Sequence, residues 1–106
     1  MTLSNQKCVP CEGGTLPMML KEAQKYLADL PGWEYKSDRI AKNYKFKNFV
    51  ETMEFVNKVA ALAEEQGHHP NISIVYNKVT LELSTHAIGG LSINDFIMAT
   101  KIEEIK

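Results

Sequence analysis

Apolar positions recur along this chain in two rhythms, and the changes of rhythm mark its elements. Leu20, Ala23, Leu27 and Leu30 lie three or four apart, the spacing of one helix face, behind Thr15 as a cap and Pro17 in the first turn. Leu30-Pro31-Gly32 stops that helix. Trp33-Glu34-Tyr35-Lys36 and Ile40-Ala41-Lys42-Asn43-Tyr44-Lys45-Phe46 then alternate around Ser37-Asp38-Arg39, which predicts an antiparallel strand pair with one wet face. Asn48-Phe49-Val50-Glu51 opens a second helix, with Asn as cap and Glu at the third helical position. It runs to Gln66 through Phe49, Met53, Val56, Ala60 and Ala63, with Phe55, Val59 and Leu62 widening the stripe. Gly67 follows, where a left-handed residue usually ends a helix.

Alternation returns in Ile72-Ser73-Ile74-Val75-Tyr76 and Val79-Thr80-Leu81-Glu82-Leu83, joined through Asn77-Lys78 with Asn at a position that tolerates positive φ. Ala87-Ile88-Gly89-Gly90 reads as a loop, and Ser92-Ile93-Asn94-Asp95 caps a last helix through Phe96, Ile97 and Ile102. The order is α-ββ-α-ββ-α, which predicts an α+β fold: a four-stranded antiparallel sheet with three helices packed on one face. Residues 1–14 read as a flexible lead-in and 15–106 as one domain.

Composition narrows the function. The chain has 106 residues, 44% hydrophobic and 24% charged, with net charge −1, so no basic excess points to nucleic acid. No apolar run approaches the ~20 residues of a membrane span, and the start lacks a signal-peptide pattern, so a cytoplasmic protein is expected. Cys8-Val9-Pro10-Cys11 has no second cysteine pair and sits among Gly13, Gly14 and prolines. It reads as part of the lead-in, without chemistry.

The chemistry gathers elsewhere. All three histidines lie in Gly67-His68-His69-Pro70 and Ser84-Thr85-His86, at the two ends of the second strand pair. With Tyr76 paired to Val79, Ile74 would face Leu81, Ile72 would face Leu83, and His69 would face His86. Three readings stay open at this point. The histidines could be ordinary loop residues. They could form a three-histidine metal site with an open water position, although adjacent histidines in an extended segment point to opposite sides. Or they could transfer protons, since imidazole titrates near neutral pH, and this reading is slightly ahead. Glu64 is placed to orient an imidazole, Asp95 lies in a helix first turn where the dipole favours a carboxylate, and Trp33 offers a flat surface to a heterocycle.

Glu64-x-x-x-His68-His69-Pro70, Val75-Tyr76-Asn77-Lys78-Val79, Ser84-Thr85-His86 and Gly90-Leu91-Ser92-x-x-Asp95 together resemble the pterin-4a-carbinolamine dehydratase family. The resemblance covers about residues 15–105. It implies dehydration of 4a-hydroxytetrahydropterin to quinonoid dihydropterin, the step that recycles the pterin after aromatic amino acid hydroxylation, with no metal and no organic cofactor. By position it implies His68 and His86 as the acid/base pair and His69 chiefly as a binding and orienting group. Pro70, Thr85, Ala87 and Ile88 would line the substrate site, with Glu64, Asp95 and Trp33 in support. Some members carry an acidic residue immediately before the histidine pair. Here it is Gly67, which leaves Glu64 as the nearest acidic partner for His68. The resemblance also implies a homodimer or homotetramer. Its alternative role is a binding module, since animal members partner a homeodomain transcription factor.

Overall fold

The computed structural model describes residues 18–105. Its elements are α1 (Leu20–Leu27), β1 (Glu34–Lys36), β2 (Arg39–Lys45), α2 (Phe49–Gln66), β3 (Asn71–Val75), β4 (Lys78–Leu83), a 3-10 turn (His86–Ile88) and α3 (Ile93–Ile105). The strands form one antiparallel sheet in the order β1-β2-β4-β3, so β1 and β3 are its edges. This is the expected α+β arrangement. The expected helix cap Thr15 and first-turn Pro17, with the lead-in and its two cysteines, lie outside the described residues. α1 is observed from Leu20 with Met19 at its N-cap and no side-chain cap.

Alternation fixes which face is buried. Ile40, Tyr44, Val79, Leu81 and Leu83 point to the helices, while Asn43, Lys45, Lys78, Thr80 and Glu82 point away. α2 and α3 pack together and both reach β4, the central strand richest in buried aliphatics. Every residue of α3 from Asn94 to Ala99 is buried, as a helix enclosed between sheet and neighbour must be. α2 follows its end signals: the Asn48 side chain accepts the Glu51 N–H at 2.9 Å, and Gly67 ends the helix at φ 66°. Its buried stripe is Thr52, Phe55, Val56, Val59 and Ala63; the expected Phe49 and Ala60 are exposed instead. The stripe turns by about one position because Thr52, closed on the Asn48 carbonyl by its own hydroxyl at 2.7 Å, lies inward without an unpaired polar group.

The β3–β4 register differs from the expected one. Ile74 pairs with Val79 and Ile72 with Leu81, and the two-residue turn is Tyr76-Asn77, with Tyr76 rather than Asn77 at positive φ (53°). The cause is on the neighbouring strand. Asn77 donates its side-chain amide to the Phe46 carbonyl at 2.9 Å, and its own carbonyl accepts the Phe46 N–H at 2.8 Å. Held there, Asn77 occupies the second turn position and the pairing slips by two residues. A slip of two leaves each side chain on its expected face.

Lys42 is the exception on the helix-facing side. Its ammonium reaches Glu103 of α3 at 2.8 Å and the Pro31 carbonyl at 3.1 Å. Tyr44 donates to the same carboxylate, and the Trp33 indole N–H lies 3.4 Å from it. Burial alone would raise the Glu103 pKa, but hydrogen bonds from Lys42, Tyr44 and Trp33 hold the carboxyl below its ordinary value. The Tyr44 hydroxyl is pushed far up, by burial first and by the adjacent carboxylate second. Trp33 is therefore a buried core residue turned to α3, engaged with Glu103 and not with a histidine.

Candidate active site

The site is assembled where three segments end together. Gly67 turns the chain out of α2, so His68 and His69 precede β3; β4 ends at Leu83 and leads to Thr85 and His86; α3 starts just beyond. Thr85 and Gly90 bridge across the short turn between β4 and α3, with Thr85 N–H on the Gly90 carbonyl at 2.8 Å. That closure brings Ser92 and Asp95 under Thr85.

Asp95 is the hub. It is fully buried, and its Oδ1 lies 2.6 Å from His68 Nε2. Its Oδ2 accepts the Thr85 hydroxyl at 2.9 Å and the Ser92 N–H at 2.9 Å. Ser92 Oγ lies 2.7 Å from Thr85 Oγ1 and accepts the Asn94 N–H at 3.2 Å. The Ser92 N–H on Asp95 is one half of a capping box, and Ser92 Oγ closes on the Asn94 N–H one position earlier than in the full box, so one carboxylate both starts α3 and holds His68. A buried carboxylate with this many donors is satisfied, not stranded.

His69 is built differently. Its Nε2 bonds to Glu64 of α2, and the two side chains are 59% and 79% exposed, against 13% and 0% for His68 and Asp95. The adjacent imidazoles thus take separate carboxylates, one rigid and one solvated. The expected pairing of Glu64 with His68 is overturned: the partner of His68 comes from 27 residues further along. A turn after Gly67 takes His68 off the helix spacing that suggested Glu64.

The expected opposition of His69 and His86 is also replaced. The ladder stops at Asn71–Glu82, and exposed His86 opens the 3-10 turn instead of extending β4. What joins the two histidine segments is the chain His68–Asp95–Thr85, one residue short of His86. Pro70 is buried, Ala87 exposed and Ile88 half-buried beside this junction. The Thr85 hydroxyl, expected to line a substrate site, is turned inward to Asp95. Ser92, not singled out as a site residue by sequence, belongs to the network; its Ser-x-x-Asp capping pattern was the signal.

Among the described residues, no three His, Cys, Asp or Glu side chains converge in a way that would hold a metal ion. Two surface hollows lie elsewhere and include no histidine. One, about 480 Å³, is lined by Phe46, Glu54, Phe55, Lys58 and Ile105 among others; the other, about 310 Å³, lies over the Lys45–Lys78 end of β2 and β4.

A buried Asp–His pair with a second histidine one residue from the same carboxylate's hydroxyl partner has the chemistry to hand protons on. The α-ββ-α-ββ-α chain carrying it belongs to the pterin 4 alpha carbinolamine dehydratase family, whose model matches residues 17–105. Two relatives named "putative pterin-4-alpha-carbinolamine dehydratase" bear this out. That of Rickettsia canadensis is 48% identical, over 95% of this chain and 94% of its own. That of Nitrosomonas eutropha is 46% identical, over 95% and 90%. A crystal structure described as a transcriptional coactivator/pterin dehydratase from Brucella melitensis superposes with a TM-score of 0.80 at 32% identity, covering 84% of this chain and 97% of that one. A pterin dehydratase-like RuBisCO assembly factor of the alpha-carboxysome shares the fold, at TM-score 0.58 and 24% identity. No helix of the described residues is long and apolar enough to cross a membrane.

Proposed function

We propose that this protein dehydrates 4a-hydroxytetrahydropterin to quinonoid dihydropterin, with His68 and His86 transferring the protons and His69 binding and orienting the pterin. The observation that supports this most is the single buried carboxylate, Asp95, that ties His68 to the Thr85-His86 segment. Family membership supplies the substrate class. In the reaction the neighbouring nitrogen's lone pair expels oxygen from the carbinolamine carbon, a proton donor eases its departure, and a base takes the nitrogen's proton. Each well-placed transfer is worth on the order of 10²–10⁴-fold in rate. The reaction needs no metal and no organic cofactor in this reading, and it takes place in the cytoplasm. Pro70, Ala87 and Ile88 line the slot; Glu64 steadies His69.

The working form is a homo-oligomer. Among the described residues β3 is an edge strand, paired only with β4, and Ile74, Val75 and Tyr76 are exposed on it and its turn. Sedimentation of the purified chain tests this, and a monomer at micromolar concentration would contradict it. For the activity, the purified chain should accelerate conversion of 4a-hydroxytetrahydropterin above its spontaneous rate, followed by absorbance. No acceleration at any concentration tried would remove the reading.

A further inference from the structure

Resting on that functional reading, we infer that Asp95 fixes His68 in the tautomer protonated at Nε2, leaving Nδ1 as the atom that takes the substrate nitrogen's proton. Thr85 and Ser92 act as positioning residues behind it.

The hydrogen-bond directions follow from proton counts. A carboxylate only accepts, and a hydroxyl has one proton to give. Thr85 gives its proton to Asp95 Oδ2, so in the 2.7 Å Thr85–Ser92 contact it is Ser92 that donates. Ser92 Oγ in turn accepts the Asn94 N–H, and the Ser92 N–H also points at Asp95 Oδ2. Every donor in the network runs toward one carboxylate. Oδ2 is taken by two of them, and Oδ1, 2.6 Å from His68 Nε2, requires that nitrogen to carry a proton. In the neutral ring the lone pair is then on Nδ1.

That lone pair is not sealed in. Among the described residues no buried side-chain nitrogen or oxygen lacks a hydrogen-bond partner. Nδ1 of His68 has no partner there, so it is not a fully buried atom, and in this reading it is the atom the substrate meets. The ring is otherwise nearly enclosed, with its side chain 13% exposed. His69 is held through Nε2 as well, but by a carboxylate 79% exposed, which cannot fix the ring with comparable rigidity.

The step balances. The C–O bond at the carbinolamine carbon breaks, and its electron pair leaves with the oxygen, which takes a proton from His86 and departs as water. The adjacent nitrogen's lone pair forms the C=N bond, and the N–H proton passes to His68 Nδ1. The resulting imidazolium keeps its Nε2–H on Asp95, and exchange with solvent returns both rings to their starting states. The buried carboxylate stabilises the charge His68 gains, which suits the base and not the donor.

The test uses the full chain labelled with ¹⁵N, in long-range proton–nitrogen correlation spectra recorded across a pH series and read on the neutral form of the ring. His68 should show a protonated Nε2 and a lone-pair Nδ1. A protonated Nδ1, or averaged tautomers, would overturn the inference. Asp95→Asn, whose amide can also donate, should lose the single tautomer and lower kcat on the order of 10²-fold with little change in KM. Thr85→Val should lower kcat several-fold and broaden the tautomer signals, and Thr85→Ser should restore both. Wild-type kcat in Asp95→Asn, or no difference between Thr85→Val and Thr85→Ser, would contradict it. The spectra need no substrate, so the tautomer is decided even in a protein without dehydratase turnover, whereas absent turnover would overturn the functional reading and the base role with it.

Discussion

His68 and His69 are neighbours in sequence, yet their surroundings assign them different work. The first is held by a buried carboxylate with three donors; the second rests on a solvated glutamate at the surface. Exposed pairs of that second kind contribute little, about 0–1 kcal/mol. Glu64→Gln should therefore leave the unfolding midpoint nearly unchanged, and its effect should fall on KM, read by steady-state kinetics. A drop in kcat at unchanged KM would give Glu64 a different role. Every one of these side chains was a candidate from sequence: three histidines gathered by one strand pair, with Glu64 and Asp95 nearby. Which carboxylate serves which imidazole was not legible. Glu64 sits at helical spacing from His68, but that spacing holds only while the helix lasts, and Gly67 ends it. The Asp95 contact spans 27 residues and exists only once α3 has docked under the turn from β4.

At the scale of elements, local signals placed most boundaries. Asn48 caps α2, Gly67 ends it, and Ser92 with Asp95 starts α3, each by a hydrogen bond that a short sequence window contains. Gly67 gives a clean test. It sits at φ 66°, and a Cβ there would meet nothing within 4 Å, so Gly67→Ala costs only backbone strain. That should be about 1–2 kcal/mol in a denaturant titration, with little change in the titration's slope. A neutral effect would mean the helix can end otherwise. The β3–β4 turn was misplaced by one residue, and the pairing with it by two, because the deciding contact, Asn77 to Phe46, comes from another strand. The faces survived that slip because side chains alternate with period two. Asn77→Ala should therefore destabilise by about 1 kcal/mol, the scale of one hydrogen bond, and a turn indifferent to that change would contradict the anchor. The expected start of α1 at Thr15 and Pro17 lies outside the described residues, and the helix is observed from Leu20.

For the whole molecule, Glu103 joins α3 to β2 and to the chain just before β1 through Lys42, Tyr44 and Trp33. In sequence Lys42 is only one position of an alternating strand, because its partner Glu103 lies 61 residues away and meets it only once α3 has docked. Because the folded carboxyl lies below its ordinary value of 4.5, its contribution is present above that value and is lost as pH falls through the folded pKa. Urea midpoints should show Glu103→Gln clearly destabilised at neutral pH and closer to wild type once the pH has fallen through the lowered folded pKa, below 4.5. A pH-independent difference would deny the ionic character of the cluster. The central claim, that folding joins the histidine segments into a proton-transfer site for a 4a-carbinolamine, is tested most directly by one comparison: the rate of quinonoid dihydropterin formation by wild type and by His86→Ala, with folding checked by circular dichroism. The expected result is a fall on the order of 10²-fold or more in a fully folded variant, because His86 is exposed and outside the core. Near-full turnover by folded His86→Ala would contradict it.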